Sequence, residues 1–138
     1  MYYSLSKWGG GATCGIGVSV SDKPEGPFTD QGKLFRSNEI DVHNSIDPFY
    51  IEDDGKKYLF WGSWYGIWGV ELTEDGLGLK GGIENAKATK IQVAANTGGT
   101  NAYEGSYILK RGKYYYLFCS TGTCCDGANS TYQTCLLY

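Results

Sequence analysis

Residues 47–63 read DPFYIEDDGKKYLFWGS, and residues 104–120 read EGSYILKRGKYYYLFCS. Both stretches have the same layout: an acidic residue, a short apolar run containing Tyr-Ile, a glycine, and a Tyr/Leu/Phe run that ends in serine. Apolar runs on either side of Asp54-Gly55 and Arg111-Gly112 are typical of β-hairpins, and Asp-Gly is the stronger turn signal of the two. The two stretches therefore predict two copies of one antiparallel unit.

A third, partial copy lies at the beginning of the chain. Residues 1–4 match the end of the hairpin's second strand, and Gly-Ile at 15–16 and at 66–67 begins a third strand in the first two units. Residues 131–136 take that place in the last unit. The sequence thus predicts one all-β domain over residues 1–138, with approximate units 1–40, 41–97 and 98–138.

The spacing and composition of these units favour part of a β-propeller. The two acids are 57 residues apart, slightly more than the roughly 40 to 50 residues of a small propeller blade. The 138 residues include 21 glycines and only 3 prolines, with 15% aromatic side chains, as expected of turn-rich β-structure. Only residues 81–88 are predicted to form a short helix. A single β-sandwich is the alternative fold.

Charge and cysteine content exclude several classes of function. A net charge of -3 and a pI of about 5.1 provide no basic field for nucleic acid. No apolar run reaches the length of a membrane span, and the first residues do not resemble an export signal. Five cysteines with one histidine do not form a zinc-finger pattern. We expect the cysteines to be small buried hydrophobes or to form one optional disulfide, and adjacent Cys124 and Cys125 not to bridge.

The repeat also relates two acidic residues to each other. If the units are related by rotation about an axis, Asp47 and Glu104 occupy equivalent positions and face the same axial cavity. The alternative is that both are solvated carboxylates at the beginning of a strand.

Amide and aromatic side chains surround both acids in the sequence. Aromatic faces and a few polar groups suit the C–H faces and hydroxyls of sugars. For Trp61 and Trp68, packing in the core is an equally open interpretation. The predicted sugar-binding residues are Asn44, Trp64, Tyr65, Tyr103 and His43, and Asn101 lies nearby.

Several motifs, taken in order, resemble glycoside hydrolase family 43. They are Asn-Ser-Ile-Asp-Pro at 44–48, the hairpin at 53–63, Tyr-Glu-Gly at 103–105, and the strand at 115–120. Cys124-Cys125 followed by Ser-Thr-Tyr at 130–132 resembles the family's endo-α-1,5-L-arabinanases in particular. The resemblance implies a five-bladed β-propeller enzyme, of which this chain is a partial segment.

The resemblance also implies the catalytic roles. Glu104 matches the general acid of an inverting hydrolase, and Asp47 matches the carboxylate that orients this acid and modulates its pKa. The family's general base comes from the first blade, and no residue of this sequence matches it. We therefore expect arabinan cleavage by the larger propeller and near-inactivity of this chain alone. The alternatives are a β-xylosidase, an α-L-arabinofuranosidase, or a non-catalytic carbohydrate-binding fragment.

Further expectations concern ligands and location. The resemblance implies an axial calcium ion in many relatives, but no residue here matches its ligands, and we predict no metal site or other cofactor in this segment. His43 is expected to border the cleft or to contact sugar, and Asp53 and Asp54 to belong to a turn. The expected partner is plant cell-wall polysaccharide, and the resemblance implies an extracellular or periplasmic location. Exposed blade edges favour self-association.

Overall fold

The computed structural model describes residues 1–5, 11–95 and 102–137. The first antiparallel sheet contains β1 (Tyr2–Leu5), β2 (Gly15–Val20) and β3 (Thr29–Arg36), in that spatial order. β2 is the central strand and is buried over most of its length, as expected for a strand covered on both faces.

The second sheet is built around the hairpin at 47–63. It contains β4 (Phe49–Asp53), β5 (Lys56–Trp61), β6 (Ile67–Glu71) and β7 (Ile91–Ala94), paired in chain order. In the turn between β4 and β5, φ is 49° at Asp54 and 73° at Gly55. Positive φ at both central residues is the pattern of a type I′ turn, which matches the twist of the flanking strands.

The third sheet repeats this arrangement. It contains β8 (Glu104–Arg111), β9 (Tyr114–Thr121) and β10 (Gln133–Leu137), with β9 in the centre. Gly112 takes the first loop position of the β8–β9 hairpin with a φ of 61°. Both hairpins and all three third strands predicted from the sequence are therefore present, and the prediction of an all-β fold is confirmed.

Two helices and one helical turn complete the described secondary structure. α1 (Ser37–Ile40) follows the first sheet and was not predicted, whereas α2 (Gly82–Thr89) confirms the short helix expected at 81–88. A 3-10 turn, Gly127–Asn129, lies between β9 and β10. Within the described residues, neither helix has the length or apolar composition needed to cross a membrane.

The apolar core lies between neighbouring sheets. The cluster between the first and second sheets contains Phe35 and Trp61, whose ring centroids are 5.0 Å apart. Trp61 is fully buried, and its indole N–H donates to Ser45 Oγ at 2.9 Å. This confirms core packing as the role of Trp61. A smaller cluster between the second and third sheets contains Ile67, Ala94, Leu117 and Cys119.

At one edge of the fold, a polar contact joins the second and third sheets. Asp53, the last residue of β4, accepts hydrogen bonds from Lys110 on β8 and from the hydroxyl of Tyr115 on β9. The Lys110 ammonium and the Tyr115 hydroxyl hold the pKa of Asp53 below its usual range. Asp54 is therefore the turn residue that the sequence predicted, whereas Asp53 links two sheets.

Candidate active site

Backbone hydrogen bonds bring the ends of the second and third sheets together at the site. The Gly62 N–H donates to Ile46 O at 3.0 Å, and the Gly105 N–H donates to Gly62 O at 3.3 Å. The Trp64 N–H donates to Tyr103 O at 3.1 Å, and Ser63 forms an isolated β-bridge with Glu104. These contacts place the segment before β4 beside the first residue of β8.

Asp47 lies two residues before β4 in a conformation that few residues adopt. Its φ is 58°, and its backbone N–H donates to Ser4 Oγ in β1 at 3.1 Å. The left-handed conformation costs most L-residues about 1–2 kcal/mol, and Asp and Asn adopt it more readily than others because their short polar side chains bond locally. The first sheet thus fixes the backbone at Asp47, in a conformation typical of functional sites.

Glu104 begins β8 and is buried, with 8% of its surface exposed. The Tyr132 hydroxyl donates to Glu104 Oε2 at 2.7 Å, an ordinary length for an O–H···O hydrogen bond. A buried carboxylate without a partner is costly, so this hydrogen bond stabilises Glu104 in its position.

The two acids influence each other electrostatically. Burial, and then the nearby Glu104 carboxylate, raise the pKa of Asp47, while a hydrogen bond from the Gly105 amide acts in the opposite direction. A like charge nearby disfavours the charged form, so burial and Glu104 together favour the protonated form of Asp47. Two neighbouring carboxyl groups in different environments are an arrangement from which enzymes build acid catalysis.

Tyr132 is the functional residue that sequence reasoning missed. It lies in the segment before β10, and Ser120 on β9 also hydrogen-bonds its hydroxyl. Burial, followed by the hydrogen bond to Glu104, raises the pKa of the Tyr132 phenol. The Ser-Thr-Tyr motif contributed to the family resemblance, but no feature of spacing indicated that its tyrosine reaches back to Glu104, 28 residues earlier.

Two of the predicted aromatic residues, Trp64 and Tyr65, lie in the loop between β5 and β6. Trp64 is 55% exposed and Tyr65 is 46% exposed. The His43 imidazole is exposed and meets the Tyr65 ring edge-on, with centroids 4.6 Å apart. Exposed aromatic rings next to a polar group can stack on a sugar ring.

Asn44 and Tyr103 are more deeply integrated into the protein. The Asn44 side-chain amide donates to Ser63 O at 3.4 Å, and the Cys14 thiol donates to Asn44 Oδ1 at 3.6 Å. Tyr103 is half-buried and packs against the smaller core cluster. Both residues brace the loops that carry the acids. Asn101, which the sequence places nearby, lies outside the described residues.

The described residues do not form a metal-binding cluster. Over residues 1–5, 11–95 and 102–137, no three His, Cys, Asp or Glu side chains lie close enough together to hold a metal ion. His43 contacts Tyr65 instead of a group of carboxylates. This part of the chain therefore does not fit the calcium site that the family resemblance implies, and no step of the proposed mechanism depends on calcium.

Three antiparallel sheets, two neighbouring carboxylates and a loop with exposed aromatic rings are what the resemblance to a hydrolase family leads us to expect. Comparison with known families agrees, because residues 1–136 match the profile described as glycosyl hydrolases family 43. The chain belongs to this family.

Relatives named for arabinan cleavage are similar over nearly the whole chain. The probable arabinan endo-1,5-alpha-L-arabinosidase A of Aspergillus flavus is 36% identical over 127 residues, which are 91% of this chain and 37% of that protein. The extracellular endo-alpha-(1->5)-L-arabinanase 1 of Bacillus subtilis is 33% identical over 135 residues, 96% of this chain and 40% of that protein. The chain therefore spans less than half the length of these relatives.

A solved structure confirms the fold. The crystal structure of an exo-1,5-alpha-L-arabinanase from a bovine ruminal metagenomic library aligns with a TM-score of 0.76 at 35% identity. The alignment covers 99% of this chain and 47% of that one. The prediction of a partial five-bladed β-propeller is confirmed, and the alternative of a single β-sandwich is wrong.

Proposed function

We propose that this chain is the part of an arabinan-cleaving glycoside hydrolase that carries the general acid. The observation on which this rests is the junction of Asp47, Glu104 and Tyr132, where Glu104 is buried beside a second carboxylate of raised pKa. The names of the relatives support α-1,5-linked arabinan as the substrate.

In the proposed reaction, Glu104 protonates the oxygen of the departing sugar while a water molecule attacks the opposite face. Tyr132 and the β8–β9 pairing fix the position of the Glu104 carboxyl, so its proton can be aimed at the glycosidic oxygen. Asp47 forms no bond to the sugar. It is proposed to orient the Glu104 carboxyl, and burial together with the nearby Glu104 charge raises the pKa of Asp47 itself.

An inverting hydrolase also needs a general base about 6.5–9.5 Å from the acid to activate the water. No residue of this sequence matches the family's base, so we propose that the base belongs to a part of the propeller outside this chain. General base catalysis contributes roughly 10²–10⁴-fold, and the 138-residue chain is therefore expected to be nearly inactive on its own.

The exposed rings of Trp64 and Tyr65 are proposed to stack on the sugar, with His43 at the edge of the same surface. Asn44 and Tyr103 border the site and are proposed to contact sugar through the groups that their internal contacts leave accessible.

A polysaccharide cannot enter a cell intact, so the enzyme is proposed to act in the extracellular space or the periplasm. One relative is itself named extracellular.

The proposal is tested with the purified chain and debranched linear arabinan, with products followed by ¹H NMR. We expect slow release of products, which is lost in Glu104→Gln. Azide is a small nucleophile that can take the place of base-activated water, and it should accelerate the reaction and give an arabinosyl azide. Turnover at the rate of an intact arabinanase, unchanged by Glu104→Gln, would contradict the proposal.

Two alternatives have distinct outcomes in the same experiment. A non-catalytic binding segment, favoured by the lack of a matched base, binds arabino-oligosaccharides without any turnover that depends on Glu104 or azide. A xylosidase or arabinofuranosidase acts on the corresponding small aryl glycosides and not on internal linkages of arabinan. The Trp64→Ala variant should weaken binding in each case, because it removes an exposed ring from the proposed sugar-binding surface.

A further inference from the structure

Two adjacent cysteines lie in the loop between β9 and β10, close to Glu104. Cys124 Sγ and Cys125 Sγ are 2.6 Å apart. This is well inside the roughly 3.5–4.0 Å at which even smaller carbon atoms pack without a bond. All five cysteines are free thiols in this structure, so the contact joins two thiol groups.

Hydrogen bonds across the loop hold this pair in place. The Thr131 N–H donates to Thr123 O, and the Thr123 N–H donates to Thr131 Oγ1, both at 3.0 Å. The Asp126 N–H donates to Ser130 Oγ at 3.0 Å, and φ at Cys125 is 66°. The backbone therefore turns sharply between two closed hydrogen-bonded pairs, which directs both sulfur atoms to the same side.

We propose that Cys124 and Cys125 form a reversible vicinal disulfide, which makes this loop a redox-modified element next to Glu104. The hydrogen bond with Cys125, then burial, and to a smaller extent the Glu104 carboxylate raise the pKa of Cys124, which agrees with this location. The proposal concerns the loop itself and does not depend on the proposed function.

The oxidant is a small disulfide such as glutathione disulfide. Cys125 is the more exposed thiol, and as a thiolate it attacks one sulfur of the oxidant and releases the first glutathione thiol. Cys124 loses its proton and attacks the Cys125 sulfur of this mixed disulfide, which releases the second glutathione thiol. Two cysteine thiols are thus oxidised, and one glutathione disulfide is reduced to two thiols.

The bridge is expected to be easily reduced. Adjacent Cα atoms are about 3.8 Å apart across a trans peptide, whereas disulfides usually join Cα atoms roughly 4.4–6.8 Å apart. A strained and exposed disulfide has a more oxidising potential than a structural one, so mild reductants open it. The short Cα–Cα distance that makes disulfides between neighbouring cysteines uncommon would therefore make the Cys124–Cys125 bond labile.

The other close pair of cysteines provides an internal comparison. Cys119 and Cys135 lie opposite each other on β9 and β10, with sulfur atoms 4.0 Å apart. Burial, and then the neighbouring Cys135, raise the pKa of the Cys119 thiol to about 12. A thiol that seldom ionises and is shielded from solvent reacts slowly, so oxidation should select Cys124 and Cys125.

The test equilibrates the whole chain in glutathione buffers of increasing oxidising strength, traps free thiols by alkylation at low pH, and maps the peptides by mass spectrometry. We expect residues 124–125 to lose two hydrogen atoms and to escape alkylation, as located by fragmentation of the peptide that carries all four cysteines from Cys119 to Cys135, and dithiothreitol to reverse both changes. Cys119 and Cys135 should remain fully alkylated.

Variants separate the two pairs. In the double variant Cys119→Ser/Cys135→Ser, the bridge at 124–125 should still form, and in Cys125→Ser it should be absent, with Cys124 fully alkylated. The proposal is overturned if Cys124 and Cys125 stay alkylated in the most oxidising buffer. It is also overturned if Cys125 forms only a mixed disulfide with glutathione or a bridge between two chains.

Discussion

Replacing Tyr132 with phenylalanine tests whether the residues of the candidate active site are held as the structure shows. The substitution removes one oxygen atom and keeps the ring. The lost group is the hydroxyl that donates to Glu104 Oε2 at 2.7 Å, and the carboxylate that loses its partner is only 8% exposed.

The size of the expected loss of stability follows from the surroundings of Glu104 and of Tyr132. Hydrogen bonds to charged groups contribute about 1.5–3 kcal/mol to stability, and a buried acceptor left without a partner costs a similar amount. Tyr132 itself is 43% exposed, so water screens the interaction and can partly replace the hydroxyl. We expect the free energy of unfolding to fall by about 1–2 kcal/mol, which corresponds to a Tm lower by roughly 3–8 °C.

The stability difference between wild type and Tyr132→Phe should also decrease at high pH. The pKa of Tyr132 is raised in the folded chain, so the folded chain holds the phenolic proton more tightly than the unfolded chain does. This contribution to stability is fully present below about pH 10, the ordinary tyrosine pKa, and is lost as the pH rises through the folded pKa. The difference between wild type and Tyr132→Phe should therefore be constant at neutral pH and shrink in strong alkali.

Urea unfolding followed by tryptophan fluorescence measures the effect, with Tyr107→Phe as the matched control. Tyr107 is 54% exposed, and within the described residues its hydroxyl has no hydrogen-bond partner, so its loss should change stability by less than about 0.5 kcal/mol. If the two variants unfold at the same urea concentration, the hydrogen bond to Glu104 does not stabilise the fold, and the structural reading of the site is refuted.

Three further predictions concern the acids, the core and the surface. Asp47→Asn should stabilise the chain at pH 7, because burial and Glu104 disfavour the charged form and asparagine tolerates the left-handed backbone. The pKa of Asp47 is raised in the folded chain, so wild-type stability should decline as the pH rises from about 3.9 through this folded pKa. Urea titrations at several pH values should show this decline in the wild type and not in Asp47→Asn. Trp61→Phe should lower the free energy of unfolding by about 2–3 kcal/mol, because it opens a void and removes the hydrogen bond to Ser45, and an unchanged urea midpoint would contradict this packing. Leu109→Lys should reduce self-association in sedimentation velocity, because Leu109 is 42% exposed on an apolar strand face, and equal association of wild type and variant would exclude this face as the interface.

The sequence predicted those parts of the fold that local patterns determine. The hairpin turn at Asp54-Gly55 needs residues that tolerate positive φ, and the sequence supplies them, so the strands on both sides could be placed. α1 could not be predicted in this way. It is four residues long, shorter than any periodic signal, and its position depends on a hydrogen bond from the Ser37 N–H to Cys14 O.

The site was predictable where it follows the repeat and not elsewhere. Asp47 and Glu104 hold equivalent positions, and the structure places them within each other's electrostatic influence, as rotation between units requires. Tyr132 reaches Glu104 from the loop between β9 and β10. A contact of this kind depends on tertiary structure, for which a repeat gives no rule. Asp53 was assigned to a turn for a similar reason, because its partners Lys110 and Tyr115 belong to the next sheet.

The serine at the end of the second strand in one unit contacts the acidic residue of the next unit, and this contact occurs twice. Ser4 in the first unit accepts a hydrogen bond from the backbone of Asp47 in the second, and Ser63 in the second unit forms a β-bridge with Glu104 in the third. In both pairs, the serine of one unit contacts the acidic position of the next. Two contacts between corresponding residues of successive units are what a constant rotation produces, and a chance meeting of two loops would not repeat. Each acid is therefore positioned by the sheet before it, so the pair forms only when neighbouring sheets are stacked in register.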